Sequence, residues 1–488
     1  MNHVLFRLNV GTKLGLGHFF RCKHLASEFI KKGYKCTFLI DKKHYFFEKF
    51  KDINFKILYQ KKNFSSEVRD LKLIDEHFDS RVKFFILDDY RLKNKWIKNF
   101  KKKYKNTKLV VFNDNHLKNY KSDFTINASK YLADTKDRIN SSKLYGSNFS
   151  IINPKLKKKV SKNNLLTILI YFGGGYDYGK NFLGIVKILK SLIKLKNIKV
   201  NFIVGPLSKN IDKVKKRISS KKINFHEKIF DLTKILSNTD FYLGSASSII
   251  YELNYLKIPS VIMTLNKKQK KIDNRFFENL GNFFILDIKD LKYQNLCYLI
   301  NLILINLKNI NQSIKVRKID IGKNGAQNIF NAITKKSKIK NFKNKIKAHK
   351  NKALYQIAKI DDVNEFLNIR NRIKNRESSL TSNQIEKIDH YIWWLNKRID
   401  KFKFTSENKI KITLWRKKIL IKNKYFYTGG WSTSDKVSIN EIIFAYKKLL
   451  DTKNFKWIGV AKKENRFLTW LNLRLGFNIF KGTNFSSQ

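Results

Sequence analysis

Three cysteines in 488 residues (Cys22, Cys36 and Cys297) are too few, and too irregularly spaced, for a disulfide framework or a zinc-type cluster. They suit a reducing compartment in which each thiol packs as a small apolar group, and no metal centre is expected. Long apolar runs are missing as well. The most apolar stretch, Leu296–Leu307, is interrupted by Asn301 and Asn306 and is too short to span a bilayer. At the N-terminus Arg7, Lys13 and early glycines break the basic, apolar, small order of a secretory signal. The expectation is a cytoplasmic chain with no membrane span.

Acidic residues are also scarce, 38 Asp+Glu against 102 Lys+Arg, which leaves a formal net charge of +64. Such a surplus raises the question of a nucleic-acid partner. Short basic runs occur at Lys101–Lys103, Lys157–Lys159 and Lys267–Lys271, but elsewhere the charge is spread over every segment. No aromatic-interleaved RNA-binding motif or Cys/His knuckle accompanies it, so no specific nucleic acid is expected. With proline nearly absent (3 residues) and Lys, Asn, Ile and Phe abundant, the surplus reads as a lysine-rich solvated surface. Hydrophobic residues at 42% supply ample material for packed cores.

Apolar runs that stop at polar residues organise the first part of the chain. Val4–Asn9, Lys35–Ile40, Phe84–Leu87 and Leu109–Phe112 read as buried strands, the last two ending at Asp88-Asp89-Tyr90 and Asn113-Asp114. A glycine turn (Gly11, Gly15, Gly17) leads from the first strand into a helical pattern from Phe19 to Lys32. The pattern then restarts. Leu165–Phe172 runs into Gly173-Gly174-Gly175, a helix follows near Phe182–Leu195, and further strands end at Gly205-Pro206 and Gly244-Ser245. Alternation of this kind implies parallel α/β sheets with ligands at the strands' carboxyl ends. The expected fold is two Rossmann-like domains facing a cleft, residues 1–152 and 160–332. A basic linker, 333–352, and a mixed α/β domain, 353–488, follow.

The turn Gly15-Leu16-Gly17-His18-Phe19-Phe20-Arg21 sits where a helix N-terminus offers free N–H groups to a diphosphate and where a histidine can move a proton. The pattern Gly-x-Gly-His-x-x-Arg-x-x-x-Leu-Ala resembles the pseudaminic acid pathway hydrolases, PseG and its SpsG-like relatives. The similarity continues in order through Leu87-Asp88-Asp89-Tyr90, Asn113-Asp114, Leu144-Tyr145-Gly146, Phe172-Gly173-Gly174, Gly205-Pro206 and Asp240 to Glu252. It implies a MurG-like, GT-B two-domain fold and release of UDP from a UDP-diacetamido-trideoxyhexose, with no cofactor. It also implies His18 as the base or water-orienting group, and Tyr90 pointing into the cleft with Asp88 placed to orient it. Gly15, Gly17, Arg21, Gly173, Gly174, Ser248 and Gln269 would line the substrate, and Glu252 would hold the ribose hydroxyls. Two departures stand out, Ser247 where the family has Gly and Lys268 where it has an active-site Asn. The alternatives are a GT-B glycosyltransferase using a UDP-sugar donor, or an inactive binding protein for a sugar nucleotide or nucleic acid.

Phe366-Leu367-Asn368-Ile369-Arg370-Asn371, His390 with Trp393-Trp394-Leu395, and Asn465 through Leu475-Gly476-Phe477 resemble GNAT N-acetyltransferases acting on UDP-amino sugars. The resemblance implies acetyl-CoA as cofactor, with Asn465 beside it. The usual glycine loop falls at Gly429–Asn440, which reads GGWSTSDKVSIN and lacks the family pattern, and Asn472 stands where the family's tyrosine acid is expected.

Overall fold

The computed structural model describes residues 1–11, 16–41, 47, 55–59, 66–114, 120–128, 142–158, 165–265, 283–288, 292–315, 322–334, 353–451, 456–462 and 464–478. Gly15, Lys268, Gln269 and nearly all of the expected linker lie outside those residues. The chain forms two compact units, residues 1–297 with 307–342, and residues 298–306 with 343–488. Among the described residues no helix is long and apolar enough to cross a membrane.

The first unit holds two parallel sheets. One contains β1 (His3–Leu8), β2 (Lys35–Ile40), β3 (Lys56–Tyr59), β4 (Val82–Asp88), β5 (Lys108–Phe112), β6 (Phe124–Asn127) and β7 (Ser142–Tyr145), in the order β3-β2-β1-β4-β5-β6-β7. The other contains β8 (Leu166–Tyr171), β9 (Ile198–Val204), β10 (Ile223–Glu227), β11 (Phe241–Ser245), β12 (Ser260–Thr264) and β13 (Phe283–Asp287), in the order β10-β9-β8-β11-β12-β13. All six residues of β1 are buried, as a central parallel strand covered on both faces requires. Phe6 stacks on Phe38 at 4.7 Å and meets Phe29 edge-on at 6.3 Å. Each such ring contributes about 1.5–3 kcal/mol by leaving water.

In both sheets the strand order reverses beside the first strand, between β1 and β4 and between β8 and β11. That reversal opens a crevice at the carboxyl ends, because the loops on either side leave toward opposite faces.

The helix Gly325–Thr334 corrects the expected domain boundary. Although sequence places it with the second sheet, its Ile329, Phe330 and Ile333 belong to the first sheet's core, and Phe330 meets Phe29 edge-on at 5.1 Å. The return begins against the outgoing chain. A Cβ on Gly325 would fall 1.8 Å from Ser150 O, and Asn328 Nδ2 donates to Asn148 O at 2.8 Å.

The second unit carries β14 (Leu354–Ile357), β15 (Ile399–Ser406), β16 (Lys409–Ile421), β17 (Lys424–Thr433) and β18 (Lys456–Trp457) as one mixed sheet in chain order. The first four are antiparallel; β18 joins β17 in parallel, through Phe426↔Lys456 and Tyr427↔Trp457. Two-residue turns at Glu407-Asn408 and Lys422-Asn423, all four at positive φ, close the hairpins.

Candidate functional site

Both crevices are lined by residues that the sequence reading singled out. At the β1–β4 reversal, His18 lies in the first turn of the helix Gly17–Ile30, and Asp88 is the last residue of β4. Asp88 is fully buried and His18 is 9% exposed. His18 Nδ1 lies 2.6 Å from Asp88 Oδ1. Burial alone would raise the Asp88 carboxyl, but Arg21 and His18 outweigh it and hold it below the ordinary carboxylate range. An ionised carboxylate only accepts, so Nδ1 carries the proton that points to Asp88, and Nε2 is the ring nitrogen left to exchange one.

Arg21 follows one helical turn after His18 and braces the opposite side of Asp88. Its Nε donates to Asp88 Oδ2 at 2.6 Å, its Nη1 to Asp114 Oδ2 at 2.5 Å, and its guanidinium lies over the Phe112 ring at 4.4 Å. Burial opposes the charge on Arg21, yet Asp114 and Asp88 raise its pKa well above the usual value. Its donors thus engage both carboxylates, tying Arg21 to Asp88 and Asp114.

Tyr90 differs from expectation in its partner. Its hydroxyl donates to Asp114 Oδ2 at 2.7 Å and accepts weakly from Arg21 Nη2 at 3.4 Å, while Asp88 is engaged with His18 and Arg21. Burial, with Asp114 beside it, raises the Tyr90 hydroxyl well above its usual pKa, so the phenol stays protonated. Its ring packs edge-on against His18 at 5.0 Å, which fixes the imidazole plane. Asp114 was visible only as part of a motif; its role as the hub joining Arg21 and Tyr90 emerges when β5 is laid beside β4.

Behind this cluster lies a second one that sequence reading missed. Arg7, on β1 and fully buried, donates through Nε and Nη2 to Asp70 Oδ1 at 3.0 and 2.6 Å, and through Nη2 to Asp41 Oδ1 at 2.5 Å. Arg91 Nη2 contacts Asp41 and Asp89, each at 2.5 Å. Read linearly, Arg7 is a charge interrupting an apolar run. In the fold it ties together the ends of β1, β2 and β4, and Asp89 is the neighbour of Asp88.

The β8–β11 reversal supplies the opposing wall. Gly173 has φ +98°, which a residue with a side chain rarely adopts, and a Cβ on Gly205 would fall 2.3 Å from Gly173 O. Among the described main-chain hydrogen bonds, the N–H groups of Gly173 and Gly174 donate to no carbonyl. Ser248 reaches the first half directly, since a Cβ on Gly17 would stand 2.9 Å from its Oγ. One turn further, burial pushes the Glu252 carboxyl up to about 7, moderated by the Asn153 N–H 3.5 Å from Oε1. Leu207 and Phe230 of the second half pack on the first core. His24, held near 4 by burial and by Lys23, is neutral.

In the second unit the stretch Gly429–Asn440 is no glycine loop. Gly429 to Thr433 lie in β17, where a Cβ on Gly429 would fall 2.3 Å from Trp415 O. Ser438 caps the helix Ile439–Leu450 in a capping box with Glu441. Asn465 caps the helix Arg466–Arg474 by accepting from Leu468 N at 3.0 Å, and its Nδ2 donates to Ser378 O at 3.0 Å, so both ends of the amide serve the fold. Asn472 accepts from the Tyr446 hydroxyl at 3.1 Å.

No protein-family model matches the chain. An uncharacterized protein of Methanocaldococcus jannaschii is 24% identical over 301 residues, 57% of this chain and 59% of that protein. The chain therefore spans about three fifths of that relative's length. Among solved structures, MurG from Acinetobacter baumannii is 14% identical with a TM-score of 0.49, covering 68% of this chain and 99% of that one. MnaA from S. aureus, in a co-structure with UDP, is 13% identical with a TM-score of 0.47, covering 68% and 96%. A glycosyltransferase from Rickettsia africae is 12% identical with a TM-score of 0.45, covering 69% and 99%.

Proposed function

We propose that the first unit hydrolyses a nucleotide-activated sugar, releasing UDP. The observation that carries this reading is the His18–Asp88 pair, a histidine whose Nδ1 is held by an ionised aspartate so that Nε2 is the base. In this mechanism Nε2 takes a proton from water as the oxygen attacks the anomeric carbon. The bond from that carbon to the diphosphate oxygen breaks, and the electron pair leaves on UDP. The N–H groups of Gly173 and Gly174, which donate to no main-chain carbonyl among the described residues, receive the departing phosphate oxygens. Glu252, once ionised, accepts from the ribose hydroxyls. Arg21, Tyr90 and Asp114 fix the geometry of the pair and touch no reacting atom.

The sequence resemblance supports a UDP-diacetamido-trideoxyhexose of nonulosonic acid synthesis as the substrate, handled in the cytoplasm. It further supports an N-acetyltransferase role for the second unit with acetyl-CoA. The test is incubation of the chain with UDP-diacetamido-trideoxyhexoses, with and without acetyl-CoA, following UDP, free sugar and acetylated product. UDP and free sugar in equal amounts without an acceptor support hydrolysis. UDP formed only when an acceptor is added replaces it with glycosyl transfer, and an unchanged rate in His18→Ala removes the mechanism.

A further inference from the structure

The second unit contains a group of cations without enough counter-charge. Arg370 ends the helix Val363–Arg370, Arg372 caps the helix Ile373–Glu377, and Arg376 lies within the latter. Arg370 Nη2 donates to Thr381 O at 3.3 Å and Arg376 Nη1 to Ser382 O at 3.2 Å. Adjacent carbonyls of one loop thus hold two guanidinium groups side by side. Arg370 Nη1 and Arg376 Nε are buried with no hydrogen-bond partner among the described residues. Lys462, from beyond β18, adds a fourth cation, donating to Glu377 O at 3.1 Å. Among the described residues the carboxylate paired with one of these arginines is Asp435, just past β17, with Oδ2 2.6 Å from Arg372 Nη1 but out of line for a hydrogen bond. Its side chain is 87% exposed.

Like charges that share a site with unmet N–H donors are costly unless an anion joins them. Burial, and then Arg376, lowers the pKa of Arg370, the mark of a guanidinium lacking a counter-ion. We propose that Arg370, Arg372 and Arg376 form a binding site for the diphosphate group of a nucleotide-type ligand, with Asp435 standing where a phosphate oxygen would bind. Planar guanidinium forks match phosphate oxygens two at a time, which a scatter of surface lysines does not. The site belongs to the second unit alone and rests on neither the hydrolase nor the acetyltransferase reading.

The experiment is calorimetric titration of the full chain with inorganic pyrophosphate at low ionic strength, then with UDP and with acetyl-CoA to learn which diphosphate carrier the site prefers. Arg370→Gln/Arg376→Gln should weaken one pyrophosphate site at least about tenfold, as loss of charge-assisted bonds requires. UDP release by the first unit should be unchanged. Asp435→Asn removes the competing carboxylate and should tighten that same site about three- to tenfold. Glu252→Gln, altered in the first unit, identifies any binding that belongs there. Pyrophosphate binding that is absent, or indifferent to the arginine substitutions, overturns the proposal. Should the double variant melt early, Asp435→Asn decides alone, with tighter binding in support and unchanged or weaker binding against.

Discussion

His18 and Asp88, seventy residues apart in sequence, meet at 2.6 Å because β4 lies directly beside β1 and ends level with the turn that starts the first helix. Asp88 also receives Arg21, so one carboxylate sets both the proton position on the imidazole and the anchor of the arginine. Replacing it with asparagine should therefore have two separable effects. In Asp88→Asn the amide can donate to Nδ1, which turns the tautomer so that Nε2 carries the proton. UDP release should fall in kcat by roughly 10²–10⁴-fold with a smaller change in KM, checked by steady-state kinetics. Denaturant titration should show a loss of about 3 kcal/mol, because Arg21 loses a buried partner.

Glu252 gives the pH dependence. Its carboxyl sits near 7 in the folded chain against an ordinary 4.5, so over that window the folded state holds a proton that the unfolded state has released. Stability then falls as pH rises from about 4.5 to 7. Glu252→Gln should melt roughly 1–3 °C higher than the unsubstituted chain at pH 8 and alike at pH 4. The same variant should raise KM for the UDP-sugar about tenfold at pH 8, since the ribose loses an ionised acceptor.

Two glycines separate fold from site. A Cβ at position 205 meets main-chain atoms of Gly173 and Gly174, which can yield only by moving the loop. Gly205→Ala should cost about 1–3 kcal/mol and depress binding of UDP. A Cβ at position 17 meets only the Ser248 hydroxyl, which can rotate away. Gly17→Ala should leave the thermal midpoint within ~2 °C, and Gly17→Ala/Ser248→Ala should recover whatever UDP affinity the single change loses.

Arg7→Met should be among the most destabilising single changes in the first unit. It takes from Asp41, Asp70 and Asp89 the buried guanidinium they share, a loss of about 3–5 kcal/mol by denaturant titration. Loss of stability with kcat preserved at low temperature would assign Arg7 to the fold; a fall in kcat as well would show that it positions Asp88 through Asp89.

What could be read from the chain itself was whatever is local. The apolar runs ending at Asp88 and at Gly173 announce buried parallel strands, and the glycine turn before His18 announces the first crevice. Pairings that depend on which strand lies next to which were not legible. Asp114 serves Tyr90 and Arg21 only because β5 flanks β4. Arg7 looks like an intruder in an apolar strand until Asp70, on a helix 63 residues away, comes to meet it. The helix Gly325–Thr334 is amphipathic and would suit either sheet; its destination is decided by Phe29 and its neighbours. In the second unit the glycines of β17 invite a ligand-loop reading, but the aromatic ring and carbonyl of Trp415 occupy the space they leave.

The contact between Gly325 and Ser150 has a mechanical consequence. Among the described residues the outgoing chain at Ser150 and the returning helix at Gly325 touch where a glycine lies against a carbonyl. A side chain at position 325 would have to push the helix Gly325–Thr334 off the outgoing chain at Ser150, and Phe330 with it off Phe29. His18 and Asp88 take no part in that contact, so the damage would be read in the packing of the first core and not in the pair itself.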